Sequence, residues 1–319
     1  MHPLQRYVLL QHPLLYCRPD LCVSMHWSAD FSRSWLWGVF SVILVLFTMG
    51  LPRNADAQSL WLPPYQPMQF GVEAVQPDLR DIDGLSGAYF FTGTVSLTEG
   101  TEFIAEVPVA YLQTSNGETF SDSQLGNPYI GLALTPPRSP LMIEIGGRIP
   151  VSENTPTAVL GQHAEVGRPG AFLPEGGMIT LAGNTRLEFT RTLSLRVRTG
   201  GFYAHSTIPA REPSMPAVNR DLFLQYSTQL WNEGDRITTG LGFTGYANLT
   251  SSGSYGANSR HDIALNVHIP AVPVVTPGVF AGWNISGTFR NAEPWEQAQD
   301  ARRQVASWRF GVTLSTSLY

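Results

Sequence analysis

The stretch 306-ASWRFGVTLSTSLY-319 reads with period two. In steps of two, Trp308, Phe310, Val312, Leu314, Thr316 and Leu318 form one series, and Ser307, Arg309, Gly311, Thr313, Ser315 and Ser317 the other. Successive side chains of a strand point to opposite faces, so this is a strand with one apolar and one polar side. A half-buried strand of a soluble sandwich would read the same way. What the apolar face touches has to come from the rest of the chain.

The same alternation recurs upstream. Tyr89, Phe91, Val95 and Leu97 stand against Thr92, Thr94 and Ser96; Phe103, Ala105, Val107, Val109 and Tyr111 against Glu102 and Glu106; Ile143, Ile145 and Ile149 against Glu144 and Arg148. Leu193, Leu195 and Val197 oppose Arg196 and Arg198, and Ile263, Leu265, Val267 and Ile269 oppose Asn266 and His268. Twelve strands are predicted, at about 66–76, 88–97, 102–113, 127–136, 140–151, 178–190, 192–205, 220–231, 235–248, 260–269, 277–289 and 305–319, with no amphipathic helix between them.

The links alternate as well. Those after even-numbered strands are short, as in TEGT (98–101) and NEGD (232–235), and those after odd-numbered strands are long, the longest being SENTPTAVLGQHAEVGRPGAFLPEGG (152–177). Turns at one end and loops at the other are the organisation of a membrane-spanning β-barrel, whereas a sandwich has no reason to sort loop lengths by end. A strand of ten to twelve residues is roughly 33–40 Å long, and a tilt near 45° reduces its height to about 25 Å, the apolar band of such barrels. The expected fold is all-β: a closed antiparallel transmembrane β-barrel of about 12 strands, with short periplasmic turns, long extracellular loops and both termini on the periplasmic side. The apolar face of the last strand then touches lipid, and its edge closes against the first strand.

Composition agrees. The 319 residues carry a net charge of -5 and only 14% charged residues, with 30 Gly and 24 Pro, whereas roughly 25% charged is usual for a soluble chain. A polyanion partner is excluded as an expectation, nucleic acid included. All 20 basic residues are Arg.

Before the strands, WLWGVFSVILVLFTMG (35–50) follows Arg33 and precedes Ala55-Asp56-Ala57, a small-x-small site. Sixteen apolar residues are short for a helical span of about 20. Residues 1–57 are therefore expected to be a leader and signal peptide, cleaved after Ala57, with synthesis starting at Met25. The barrel occupies 58–319, and Cys17 and Cys22 both lie in the leader.

Signal peptide, alternating strands, sorted link lengths and a terminal aromatic strand together resemble bacterial outer-membrane β-barrel proteins across 58–319. One feature departs from that pattern, since Tyr319 falls in the polar series of Ser317, Ser315 and Thr313. A second likeness covers one hairpin: LGNPYIGLAL (125–134) followed by PLMIEIGGRIPVSE (140–153) is similar to the barrel transporters of the meta-pathway of phenol degradation. The resemblance implies outer-membrane lipid and the barrel-insertion machinery as partners and a small-molecule solute as cargo.

Catalytic groupings are sparse. QTSNGE (113–118) offers Ser115, Asn116 and Gly117 but places Gln113 where a barrel phospholipase has its histidine, and Gln cannot take the serine proton. His261 and Asp262 are adjacent, so on a strand they face opposite ways. His163, Glu165 and Glu175 lack metal-ligand spacing. No enzymatic activity, metal or other cofactor is expected.

Function is expected on the polar face. Glu102, Glu106, Glu144, Arg148, Arg186, Glu188, Arg196, Arg198 and Arg309 fall in the inward series, because Arg facing lipid at mid-membrane costs roughly 2–4 kcal/mol. They line an aqueous pore for small polar or amphiphilic solutes, or else cross-link into a blocked lumen in a structural or loop-display barrel. Arg148, Arg186, Arg196 and Arg198 face only Glu144 and Glu188 on strands 5 to 7, a surplus that favours anions unless Glu102 and Glu106 reach across. Tyr89, Tyr111, Tyr203, Phe289 and Trp308 are placed for an interfacial girdle, although aromatic residues favour strands in any case. The loop 152–177, with Ala171, Phe172 and Leu173 to bury, is expected to fold over or into the barrel mouth.

Overall fold

In the structure, a computed structural model that describes residues 68–79, 82, 84–114, 120–136, 140–165, 167–206, 220–250, 259–269, 275–285 and 308–318, the alternating segments form thirteen strands. They are β1 (Met68–Pro77), β2 (Gly87–Thr98), β3 (Thr101–Thr114), β4 (Phe120–Leu125), β5 (Tyr129–Leu134), β6 (Leu141–Arg148), β7 (Gly176–Glu188), β8 (Leu193–Ser206), β9 (Arg220–Glu233), β10 (Thr238–Asn248), β11 (Ser259–His268), β12 (Val275–Asn284) and β13 (Trp308–Leu318). The leader 1–57, Ser115 to Gly117, Phe289 and Tyr319 lie outside the described residues.

Every pairing is antiparallel. β1 meets β2 on one edge and β13 on the other, from Met68 opposite Leu318 to Pro77 opposite Arg309, so the sheet closes on itself. β4 and β5 share one place in the ring, β5 against 101–106 of β3 and β4 against 109–114. Thirteen strands thus make twelve wall positions, and the fold is a closed twelve-stranded antiparallel barrel.

The sequence reading differs at two points. The strand expected at 127–136 is the shorter β5, and β4 stands in the expected link before it, the two separated by Gly126-Asn127-Pro128. Pro128 has no N–H to give a ladder, and the Asn127 N–H donates to the Ala171 oxygen at 2.6 Å, away from the wall. Second, one helix, α1 (Pro156–Ala164), stands in the long link where no helix was expected. Thr155 caps it by accepting from the Ala158 N–H at 3.1 Å, and Pro156 opens it, where a missing N–H costs nothing.

The distribution of side chains is inverted relative to a water-soluble protein. Outward positions carry exposed Phe70, Phe91, Ile145, Ile179, Leu181, Leu241, Leu265 and Leu314, with Ile179 64% accessible, while inward positions bury Glu106, Glu144, Arg196, Arg198 and Arg309. Charged residues are almost never fully buried unless paired, so the interior must supply partners. It also holds an apolar cluster that includes Val75, Ala88, Phe90, Ala110, Ala164, Ala171 and Phe172. There the Phe90 and Phe172 rings meet edge to face at 6.0 Å, a contact worth about 0.5–1.5 kcal/mol beyond area.

Candidate functional site: the lumen and the segment inside it

The 149–175 segment between β6 and β7 lies inside the barrel, because its contacts come from inward side chains spread around the ring. From β6, Arg148 Nε donates to the Pro169 oxygen at 3.0 Å. From β11, Arg260 Nη2 donates to the Glu165 oxygen at 3.0 Å, and from β13, Arg309 Nε donates to the His163 oxygen. From β4, Asp122 accepts from Thr157 Oγ1 at 2.6 Å. Arg260 and Arg309 thus donate to carbonyl oxygens at the C-terminal end of α1, which would otherwise be buried acceptors without donors. Gly161 is required in α1, since a Cβ there would overlap the Phe172 ring packed across the helix.

Asn127 fastens the segment to the wall. Its side chain is wholly buried. Nδ2 lies 3.0, 2.7 and 3.1 Å from the carbonyl oxygens of Gly170, Leu173 and Gly176, and Oδ1 accepts from the N–H groups of Val151 and Ser152, both at 2.9 Å. The break in the wall between β4 and β5 is therefore the place where the strand turns its polar groups on the inner segment.

Arg168 is the segment's own charge. Its Nη1 and Nη2 donate to the two oxygens of Glu73 at 2.9 and 2.8 Å, and Nε donates to Glu106 Oε2 at 2.7 Å. Arg148 Nη2 takes the other Glu106 oxygen at 2.8 Å.

Further down, Arg198 donates to both oxygens of Glu144, at 2.6 and 3.1 Å, and Tyr129 Oη donates to Glu144 Oε1 at 2.5 Å. Gly146 leaves the room that the Tyr129 ring needs. Arg186 and Arg196 both bind Glu233, and Arg196 also lies 4.7 Å from the centre of the Trp231 ring. On the opposite wall, Arg260 and Arg309 share Asp262, at 3.0 and 2.6 Å.

This corrects the expected arginine surplus. Glu106 and Glu233 join Glu144 and the mostly exposed Glu188, which lies 3.3 Å from Arg186, so four carboxylates meet Arg148, Arg186, Arg196 and Arg198. Pairing crosses from β3 to β6 and from β8 to β9, which a count confined to strands 5 to 7 leaves out. Glu102 is half-buried near the β2–β3 turn and forms no ion pair with a described residue. Of the network, Glu73, Asn127, Arg168, Glu233, Arg260 and Asp262 were missed. Glu73 and Asp262 had a readable signal, an acid opposed to apolar neighbours on a strand; Arg168 had none.

Two titratable groups sit on the inner segment. Burial, aided by Arg260, pushes the His163 imidazole down to about 4. Burial pushes the Glu165 carboxyl up to about 7, with Arg260 and Arg148 countering only in part, and its Oε2 has no hydrogen-bond partner among the described residues.

Other sequence candidates are apart from this network. Asp262 points inward, whereas His261 meets Tyr226 on the outer side at 2.5 Å. Tyr203 and Trp308 are exposed on the outer surface, and Trp308 stacks on Trp283 at 5.4 Å. Tyr89 and Tyr111 are half-buried, with Tyr89 Oη donating to the Leu85 oxygen at 2.6 Å and Tyr111 Oη to Gln113 Oε1 at 3.2 Å.

Among solved structures, the NanC porin aligns with a TM-score of 0.49 at 9% identity, covering 79% of this chain and 100% of its own. An outer membrane channel from Pseudomonas putida F1 aligns with a TM-score of 0.49 at 8% identity, over 83% of this chain and 100% of its own. The CymD monoaromatic hydrocarbon channel aligns at 0.41 and 8% identity, over 85% and 95%. No protein-family model and no curated protein matches the sequence.

Proposed function

We propose that the chain is an outer-membrane channel for small polar or amphiphilic solutes, closed at rest by its own 149–175 segment. The observation that carries this reading is the inverted barrel: a closed ring with an apolar exterior and a charged, ion-paired interior. In water such an exterior would be an association hazard; against lipid it is the stable arrangement, and the pairing of β1 with β13 closes the ring. Lipid is then the partner of the outer surface, with Tyr89, Tyr111, Tyr203, Phe289 and Trp308 in its interfacial girdle. Short periplasmic turns, long extracellular loops, export by a signal peptide cleaved after Ala57 and assembly by the barrel-insertion machinery belong to the same proposal.

The lumen residues Glu106, Glu144, Arg148, Arg186, Glu188, Arg196, Arg198 and Arg309, with Glu102 nearer the short-turn end, are proposed to line the path. The hairpin 125–153, similar to that of the phenol meta-pathway transporters, adds amphiphilic aromatic molecules to the solutes worth testing. The filled interior favours a second reading, a structural or loop-display barrel with a permanently blocked lumen. Single-channel recording of the purified protein in planar bilayers separates the two. Stepwise currents that grow when 156–174 is deleted support the channel; silence from both proteins supports the structural barrel.

A further inference from the structure

The group that recognises Arg168 belongs to the wall. Glu73 on β1, Phe90 on β2 and Glu106 on β3 come from three neighbouring strands: Glu73 pairs opposite Phe90, and Glu106 pairs opposite Thr92, two residues further along the same face of β2. Their side chains converge on one patch of the inner surface. Glu73 presents both oxygens to the outer nitrogens of the guanidinium, Glu106 takes Nε, and the guanidinium carbon lies over the Phe90 ring, 4.3 Å from its centre. A planar fork matched by a carboxylate above an aromatic face is a geometry suited to guanidinium, and a spherical ion cannot match the fork.

Charge makes the same point. Without Arg168 the patch holds two carboxylates and one compensating guanidinium, Arg148, which is already bound to Glu106 Oε1. The wall is short of one positive charge, and Glu73 is 7% exposed and Glu106 1%. Buried carboxylates demand a counter-charge. The charge is supplied by a segment that could be withdrawn only if something else took its place.

We propose that Glu73, Phe90 and Glu106 form a binding site for the guanidinium group of a cationic solute, and that Arg168 is a tethered stand-in which such a solute displaces. The site prefers cations, opposite to the preference expected of an arginine-rich wall. Solute-driven release of the 149–175 segment rests on the channel reading; occupancy of the site does not.

The test uses the full-length chain carrying Arg168→Ala, folded in detergent micelles, with methylguanidinium chloride as the probe and sodium chloride as the ionic-strength control. Isothermal titration is expected to give saturable binding that is at least roughly tenfold weaker in Arg168→Ala/Glu73→Gln. Phe90→Leu in the Arg168→Ala background keeps both carboxylates and is expected to weaken binding severalfold, which supplies a second reading should the double variant not fold. Absence of binding to Arg168→Ala, or equal binding to the variants with and without Glu73 or Phe90, overturns the site. Recording the same proteins in bilayers separates the two proposals: binding without current in any of them retains the site and removes the channel.

Discussion

Replacing Asn127 with alanine removes the fastening of the inner segment while leaving the apolar packing of Phe172 untouched. The amide has two N–H groups for the three carbonyl oxygens of Gly170, Leu173 and Gly176, and its oxygen accepts from Val151 and Ser152. Four hydrogen bonds are thus made at one time. At about 1 kcal/mol net each they amount to about 4 kcal/mol, and water entering the vacated space lowers the loss toward about 2 kcal/mol. The ratio of docked to released segment should fall roughly 30- to 1000-fold. The assay is cleavage by a Glu-specific protease after Glu165, a residue buried in the docked state. Trypsin is unsuitable, because Arg168 precedes Pro169. When opening and closing are faster than cutting, the cleavage rate follows the released population, so Asn127→Ala should be cut faster by the same factor. Asn127→Asp should be worse still, since it turns a carboxylate oxygen toward three carbonyls. A cleavage rate within about twofold of the parent protein would refute the latch, as it would place the whole docking energy in packing.

The two titratable groups of the segment give opposite pH dependences. Glu165, raised to about 7, favours docking when neutral, so its contribution is full below the ordinary 4.5 and is lost as pH rises through 7. His163, lowered to about 4, contributes above the ordinary 6.5 and loses that as pH falls toward 4. In Glu165→Gln, hydrogen-exchange protection of 156–164 should fall only on acidification, and in His163→Asn only as pH rises from 4.5 to 7; a flat profile in either denies the burial of the remaining group. Gly146→Ala places a methyl against the Tyr129 ring, and a loss of about 1–3 kcal/mol is expected in denaturant unfolding in lipid vesicles. Arg198→Gln leaves Glu144 buried and unpaired, at about 3–5 kcal/mol, and adding Glu144→Gln should recover part of that loss. Additive losses in that cycle would show that the pair is not coupled.

The alternation in 89–97, 102–111, 143–149 and 308–316 was enough to specify strands and their sidedness, because period two is a local property imposed by an apolar environment on one side and a polar one on the other. A helix signal was also present in Thr155-Pro156, a cap followed by a first-turn proline. It went unread because the apolar residues of 157–164 follow no helical stripe. Gly126-Asn127-Pro128 carried turn chemistry at the start of the strand expected at 127–136, and only its closeness to Ala171 and Gly170 explains why the wall breaks there.

The charge pattern was legible as inward-facing but not as paired. Glu73 and Arg168 are 95 residues apart, Arg148 and Glu106 are 42 apart, and Arg196 and Glu233 are 37 apart. Strand sidedness is written in each segment by its neighbours two residues away. Which buried charge neutralises which depends on ring closure and on a segment folded back through the ring, and both are set by the free energy of the whole interior.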